Sequence, residues 1–324
     1  MSVLIVGSIA YDTVETPFEK KERVIGGSCI YGAIAASFFS KVSIIGVVGD
    51  DFSDCFFKFL NDKNIDTKGV IKEKGKTFFW HGRYSYDMKT RESIKTELNV
   101  FADFKPVLEK EHEDIPFLFL ANIDPELQLD VLNKKGNTKF VICDTMNYWI
   151  ENKREKVKEV FKRVDCVILN DEEVREYTGK TDILKASYEI IKDGPNYIII
   201  KKGEHGATLI GKNVYFTLPS YPVYNIKDPT GAGDTFAGAF IGYLAKNNSI
   251  ETGRIKKAIA YGNIVASFTI EDFSIVVSTL SLLNAYISIS NCNLFLIITF
   301  LAPLTPIIHT ISFILVKTTL YFII

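Results

Sequence analysis

Several common chemistries have no footing in this chain. Its five cysteines, Cys29, Cys55, Cys143, Cys166 and Cys292, form no CxxC spacing, so neither a zinc ligand set nor a redox pair is legible. An odd, scattered set suits a reducing compartment, where thiols serve as small core residues. Charge of one sign is also lacking. A formal net charge of −1 supplies no global basic field for nucleic acid. The opening MSVLIVGSIAYD has no basic leader and a short apolar run before Gly7; it reads as a first β-strand rather than a signal peptide, and the expected compartment is the cytoplasm. No GxGxxG follows that strand and no Gly-Lys-Ser/Thr loop occurs after a glycine-rich turn, which argues against a dinucleotide-binding site and a Walker loop.

The last 52 residues (324 minus 272) lack charge. Residues 1–272 carry all 39 acidic residues and 37 of the 38 basic ones, and the remainder carries only Lys317. At the whole-chain fraction of 24% about 12 charges would be expected there. Residues 274–324 therefore form an atypical apolar tail with three readings. One is a membrane span, although Pro303 and Pro306 interrupt the apolar runs Leu294–Ala302 and Ile307–Ile324. The others are a buried helix pair and the product of a shifted reading frame. A membrane partner is expected only if the tail is genuine.

Residues 1–272 alternate short apolar runs with amphipathic stretches. Strands are expected at Val3–Val6, Val42–Val48, Phe117–Leu120, Phe140–Cys143, Cys166–Leu169, Tyr197–Ile200 and Thr208–Ile210. Helices are expected at Ile30–Phe39, Ser53–Leu60, Glu126–Asn133, Lys153–Arg163, Glu172–Thr178, Ile183–Lys192, Asp234–Lys246 and Glu251–Phe268. The alternation predicts an α/β fold with a largely parallel sheet between helices. Two segments, about 10–27 and 76–101, instead alternate aromatic and polar side chains at period two. They predict a small second sheet, wet on one face, assembled from separate insertions and acting as a lid.

The densest signal is KDPTGAGDTFAGAF, Lys227 to Phe240. Small residues at a helix start let the backbone press against an anion, where unpaired amides and the positive dipole end are available. Asp234, in the first helical turn, would lie beside a phosphate held there and could orient an attacking hydroxyl. GAGD alone fits a glycine-rich helix entry equally well.

The longer string DPTGAGDTFAGAF resembles the C-terminal signature of the PfkB, or ribokinase-like, family of carbohydrate and nucleoside kinases. GSIAYD, VIGGSCIYGAIAASFF, GVVGDD, NDEE and IIIKKGEHGA follow in the family's order, so the likeness covers about residues 1–273. It implies a ribokinase-like fold and ATP-dependent phosphorylation of a sugar or nucleoside hydroxyl with Mg2+. Position by position it implies Asp234 as catalytic base and Gly231, Ala232 and Gly233 as the γ-phosphate hole. Asn170 and Glu173 match the NxxE that organises Mg2+ through water, and Lys201, Gly203 and Gly206 match a loop touching nucleotide phosphates and ribose. Asn263 falls in the adenine pocket, Asp12 on substrate hydroxyls, and Gly26 and Gly27 at the lid hinge and substrate floor. Asp228 and Thr230 match a monovalent-cation site, occupied by K+ in some members, and a homodimer through the lid belongs to the same set.

Two departures stand out. Tyr31 occupies the position where the family usually has a sugar-binding asparagine, and a phenol cannot reproduce a bidentate amide contact, so ribose itself is in doubt. The lid aromatics Phe78, Phe79, Trp80, Tyr84 and Tyr86 are candidates for stacking on a substrate ring. The tail does not match the family. The alternative function is a non-catalytic, membrane-tethered nucleotide-binding relative.

Overall fold

A computed structural model describes residues 1–273. The chain divides into a unit spanning Met1–Ile275 and a second spanning Val276–Ile324; the tail and its three readings lie outside the described residues. Among those residues no helix is long and apolar enough to cross a membrane.

In chain order the elements are β1 (Ser2–Val6), β2 (Ala10–Glu15), β3 (Lys20–Gly26), α1 (Ser28–Ser37), β4 (Lys41–Gly49), α2 (Asp54–Asp62), β5 (Ile65–Glu73), β6 (Phe78–Tyr84), β7 (Arg91–Glu97), α3 (Lys110–Glu113), β8 (Phe117–Leu120), α4 (Pro125–Lys134) and β9 (Phe140–Asp144). They continue as α5 (Asn147–Asn152), α6 (Arg154–Phe161), β10 (Cys166–Asn170), α7 (Asp171–Thr178), α8 (Ile183–Lys192), β11 (Tyr197–Lys201), β12 (Ala207–Gly211), β13 (Val214–Leu218), α9 (Ala232–Asn247) and α10 (Thr252–Thr269).

Nine strands form one sheet in the order β13-β12-β11-β10-β9-β8-β1-β4-β5. Pairing is parallel from β5 to β11 and antiparallel at β12 and β13. Its central strands are apolar on both faces because helices cover both sides; Leu4, Val6, Leu118, Leu120, Val141, Val167 and Ile198 share one buried cluster. The expected α/β architecture, a largely parallel sheet between helices, is therefore present.

Each strand expected from periodicity appears. Two strands escaped notice, β5 and β13, as did the short helices α3 and α5. β5 and β13 are the sheet's two edges, and half-wet edge strands carry the polar residues that hide them in a search for apolar runs.

The two aromatic-polar segments do assemble into one sheet, of order β3-β2-β6-β7. Its β2 and β6 run parallel, which only chain segments far apart in sequence can do without a long local crossover.

The body is closed by α1 and α9 lying almost backbone to backbone. A Cβ added at Gly238 of α9 would fall inside the Gly32 carbonyl of α1, and one at Gly242 would lie 2.8 Å from Ala36 Cα. The small residues of SCIYGAIAAS and AGDTFAGAF are thus partly a packing requirement. Gly238→Ala should lower unfolding free energy by about 1–3 kcal/mol through overpacking. Urea denaturation would measure it; an unchanged midpoint would mean the helices are not in such close contact.

Candidate active site

The carboxyl edge of the large sheet sets the site. Parallel register places Ile168 of β10 beside Asp144, and Asn170 beside Lys201. The last residues of β9, β10 and β11 therefore line up where an open α/β sheet binds its ligands. Lys201 Nζ donates to Asp144 Oδ2 at 2.8 Å, and both side chains are largely buried. Burial alone would lower the Lys201 pKa, but Asp144 and Glu173 outweigh it and hold the ammonium above its usual value.

The start of α9 faces this pair. Gly231 holds a left-handed backbone (φ 75°), a region glycine enters without cost. Its Cα lies so close to the Tyr31 ring that any Cβ would collide with it. The first turn closes when the Thr235 amide donates to the Gly231 carbonyl at 2.8 Å. No side chain caps this helix, in contrast to α7 and α8, which have Asn170 and Asp182 as caps. The leading amides and the positive dipole end are thus left for a ligand. At Gly233 a Cβ would sit 2.9 Å from Lys201 Nζ, so the ammonium stands at the mouth of the helix.

Asp234 lies in this first turn. Burial pushes its carboxyl up to about 7, the Asp144 charge adds to the rise, and Lys201 and Arg91 oppose it. Asp12, at the centre of β2, is 4% exposed; burial and then Asp228 push it to about 7, against an amide hydrogen bond from Gly27. The same carboxylate abuts Gly26, where only glycine leaves room.

Asp228 is 1% exposed, and burial raises it to about 6. Its Oδ1 accepts from the Thr230 amide at 2.8 Å, while its Oδ2 is buried without a hydrogen-bond partner. The Tyr31 hydroxyl is also buried and unpartnered. Burial first, and then Asp12 and Asp228, keep its proton bound.

Asn170 and Glu173 do what a strand-to-helix junction asks of them. Glu173 Oε2 accepts from the Asn170 amide and Asn170 Oδ1 from the Glu173 amide, each at 2.8 Å, which is a capping box. Glu173 is nevertheless buried, and that burial, opposed by Lys201 and aided by Asp144, raises it to about 7. It belongs electrostatically to the same cluster. The turn Gly203–Gly206 lies beyond β11, and its Gly206 packs against Leu218 and Pro219. Asn263 Nδ2 donates to the Pro219 carbonyl at 3.1 Å, so Asn263 borders the same loop.

Two participants were not singled out from sequence. Asp144 ends β9, and the strand-end rule alone would have marked it. Arg91, at the start of β7, acts on Asp12, Glu173 and Asp234, but nothing distinguishes it within the charge-rich KTRESIKTE. The lid rings mostly pack against protein. Phe78 stacks on Phe101 at 5.4 Å, Arg91 lies over Trp80 at 5.0 Å, and Tyr86 meets Phe18 at 6.3 Å.

The sequence profile of the pfkB family carbohydrate kinases matches residues 22–279. A cytidine kinase of Thermococcus kodakarensis is 26% identical over 257 residues, covering 78% of this chain and 91% of that protein. Among solved structures, the Methanocaldococcus jannaschii nucleoside kinase superposes with a TM-score of 0.69 at 18% identity, covering 86% of this chain and 94% of that one. The Salmonella enterica aminoimidazole riboside kinase, complexed with aminoimidazole riboside and an ATP analogue, gives 0.68 at 16%, covering 88% and 99%.

The raised carboxyls carry a stability cost with a definite sign. A carboxyl whose folded pKa exceeds its unfolded value contributes stability below the unfolded value, and that contribution is lost as pH rises through the folded value. For Asp12 the window runs from 3.8 to about 7. Asp12→Asn should therefore raise Tm at pH 8 and give a much smaller gain at pH 5. Thermal unfolding at both pH values checks this; equal shifts would mean Asp12 is not titrating in that window.

Proposed function

Because the chain belongs to the pfkB family of carbohydrate kinases, we propose that its GAGD turn, strand ends and lid divide the work of one phosphoryl transfer. The enzyme is an ATP-dependent kinase acting on a hydroxyl of a sugar or nucleoside. The observation that carries the assignment of roles is Asp234 in the first turn of an uncapped helix beside Lys201.

The amides of Gly231, Ala232 and Gly233, with Lys201, hold the γ-phosphoryl group, and no covalent intermediate is needed. Asp234 accepts the proton of the acceptor hydroxyl as its oxygen bonds to phosphorus and the bond to ADP breaks. Asp12 and Tyr31 receive the acceptor over the floor formed by Gly26 and Gly27. Gly203, Gly206 and Asn263 border the nucleotide.

Among the described residues no three His, Cys, Asp or Glu side chains cluster as a metal cage. That fits Mg2+, which keeps several waters and binds through substrate phosphates; Asn170 and Glu173 would hold it through water. When bound it neutralises phosphate charge. The unpartnered Asp228 Oδ2, with Thr230 beside it, fits a monovalent cation such as K+. We assign the enzyme to the cytoplasm, consistent with free thiols at Cys29, Cys55, Cys143 and Cys166, and residues 1–273 to the kinase domain, with the small sheet as its lid. The exposed Phe18 and Tyr86 at the lid's turns, their rings tilted against one another, support a homodimer through that sheet.

A coupled ADP-release assay over sugars and nucleosides tests the reaction. Asp234→Asn should lower kcat by about a hundredfold or more while ATP affinity changes little, and unchanged kcat would remove Asp234 as base. Since the base must be ionised, wild-type kcat/KM should fall as pH drops through about 7; a flat profile from pH 8 to 5.5 would contradict the role.

A further inference from the structure

The small sheet touches the body at Thr230, beside the turn that opens α9. Tyr84, the last residue of β6, places its hydroxyl 3.1 Å from Thr230 Oγ1. The contact joins residues 146 apart in the chain and is buried. The phenol cannot swing freely. Its ring packs with Val14 and Phe273, flanked by Trp80 and Met88, and this cluster fixes where the hydroxyl points.

Thr230 is the residue immediately before the left-handed Gly231. Its amide is tied to Asp228 Oδ1 at 2.8 Å and its side chain to Tyr84. Held from both sides, Thr230 fixes the direction in which the chain enters Gly231, and with it the aim of the α9 amides. Amides that stabilise developing charge are effective only when their orientation is set beforehand. With no capping side chain on α9, that orientation must come from the residues leading into the turn.

We propose that Tyr84 is a positioning residue: its hydroxyl, carried on the small sheet, locks Thr230 and so pre-orients the Thr230–Asp234 turn when that sheet is docked. It touches neither acceptor nor phosphate and acts through Thr230. The hairpin has a second attachment, the exposed Lys89–Glu204 pair at 2.9 Å, which reaches the Gly203–Gly206 turn. One hairpin therefore bears on both the phosphate-facing turn and the nucleotide-facing loop. The proposal relies on the kinase reading only for its kinetic consequences.

Tyr84→Phe keeps the packed ring and deletes the hydroxyl. Thr230→Val deletes the same hydrogen bond from the other side. Hydrogen exchange followed by mass spectrometry on the full chain should show severalfold faster exchange in peptides spanning 227–240 for each variant, with α4, α6 and α8 unchanged. Unchanged exchange at 227–240 in both variants overturns the proposal, and so does acceleration spread evenly over the chain in both. With an accepted substrate, Tyr84→Phe should lower kcat about tenfold with little change in the KM of either substrate. The Tyr84→Phe/Thr230→Val pair should lose less than the sum of the two single variants, because the Tyr84–Thr230 bond is common to both. A raised acceptor KM at unchanged kcat overturns the proposal by making Tyr84 a substrate contact. If the wild-type enzyme releases ADP with no sugar or nucleoside, the kinase reading fails, and the exchange comparison still decides the role of Tyr84.

Discussion

The site depends on one buried ion pair, Lys201 with Asp144. Five carboxyl groups converge on the carboxyl edge of the sheet: Asp12, Asp144, Glu173, Asp228 and Asp234. Lys201 and Arg91 are the cations whose fields reach them. A lysine buried without a partner would shed its proton. Asp144 keeps Lys201 charged and aims it at the first turn of α9. Burial is the main reason Asp12, Glu173 and Asp234 all sit near 7 rather than near 4, and neighbouring carboxylates add to the rise. A polyanionic donor approaching such a cluster must bring its own positive charge, which is a physical reason for a nucleotide that arrives as a metal complex.

The packing of α1 on α9 meets a second constraint with the same residues. Glycine and alanine bring the two helix backbones together at Gly32 and Gly238, and at Ala36 and Gly242. Contact this close leaves little room for α9 to tilt or slide. Its N-terminal amides are therefore held by a rigid element, the condition under which a fixed dipole stabilises charge without reorganising. The small residues between 231 and 242 serve anion access at one end and rigidity along the rest. Sequence alone could not apportion them, because both demands select the same residue types.

Much of the fold was legible because parallel strands buried on both faces read as apolar runs, and Val3–Val6, Phe117–Leu120 and Cys166–Leu169 all fell where expected. The turn at Gly231–Asp234 stood out only within the longer string DPTGAGDTFAGAF, since GAGD alone fits a glycine-rich helix entry equally well. Asp144 and Arg91 were not singled out. The strand-end rule could have marked Asp144, but its pairing with Lys201 depends on the alignment of β9, β10 and β11 side by side, which a linear reading does not contain. Arg91 reaches the cluster from β7 only because the small sheet folds over the body. The lid aromatics misled in the opposite direction. Their period-two pattern identified strands, but what each ring faces depends on partners such as Phe101 and Arg91 that the pattern does not reveal.

The charge state of the site bears on how transfer would be timed. A carboxyl near 7 is about half protonated at neutral pH, and a protonated Asp234 cannot accept a hydroxyl proton. Its pKa is raised by burial and by Asp144, so any positive charge placed beside Asp144 and Lys201 lowers it and restores the ionised form. The nucleotide-facing strand ends are where such charge would arrive. Asp12, on the acceptor side, is raised by burial and by Asp228, and it answers instead to a cation beside Asp228. The two acids differ in their nearest acidic neighbour, Asp228 for Asp12 and Asp144 for Asp234, although they share Arg91 and Asp12 also feels Asp234. With Asp234 in the role proposed above, ionisation driven by cationic charge on the donor side would withhold activation of an acceptor hydroxyl until there is a phosphoryl group for it to attack.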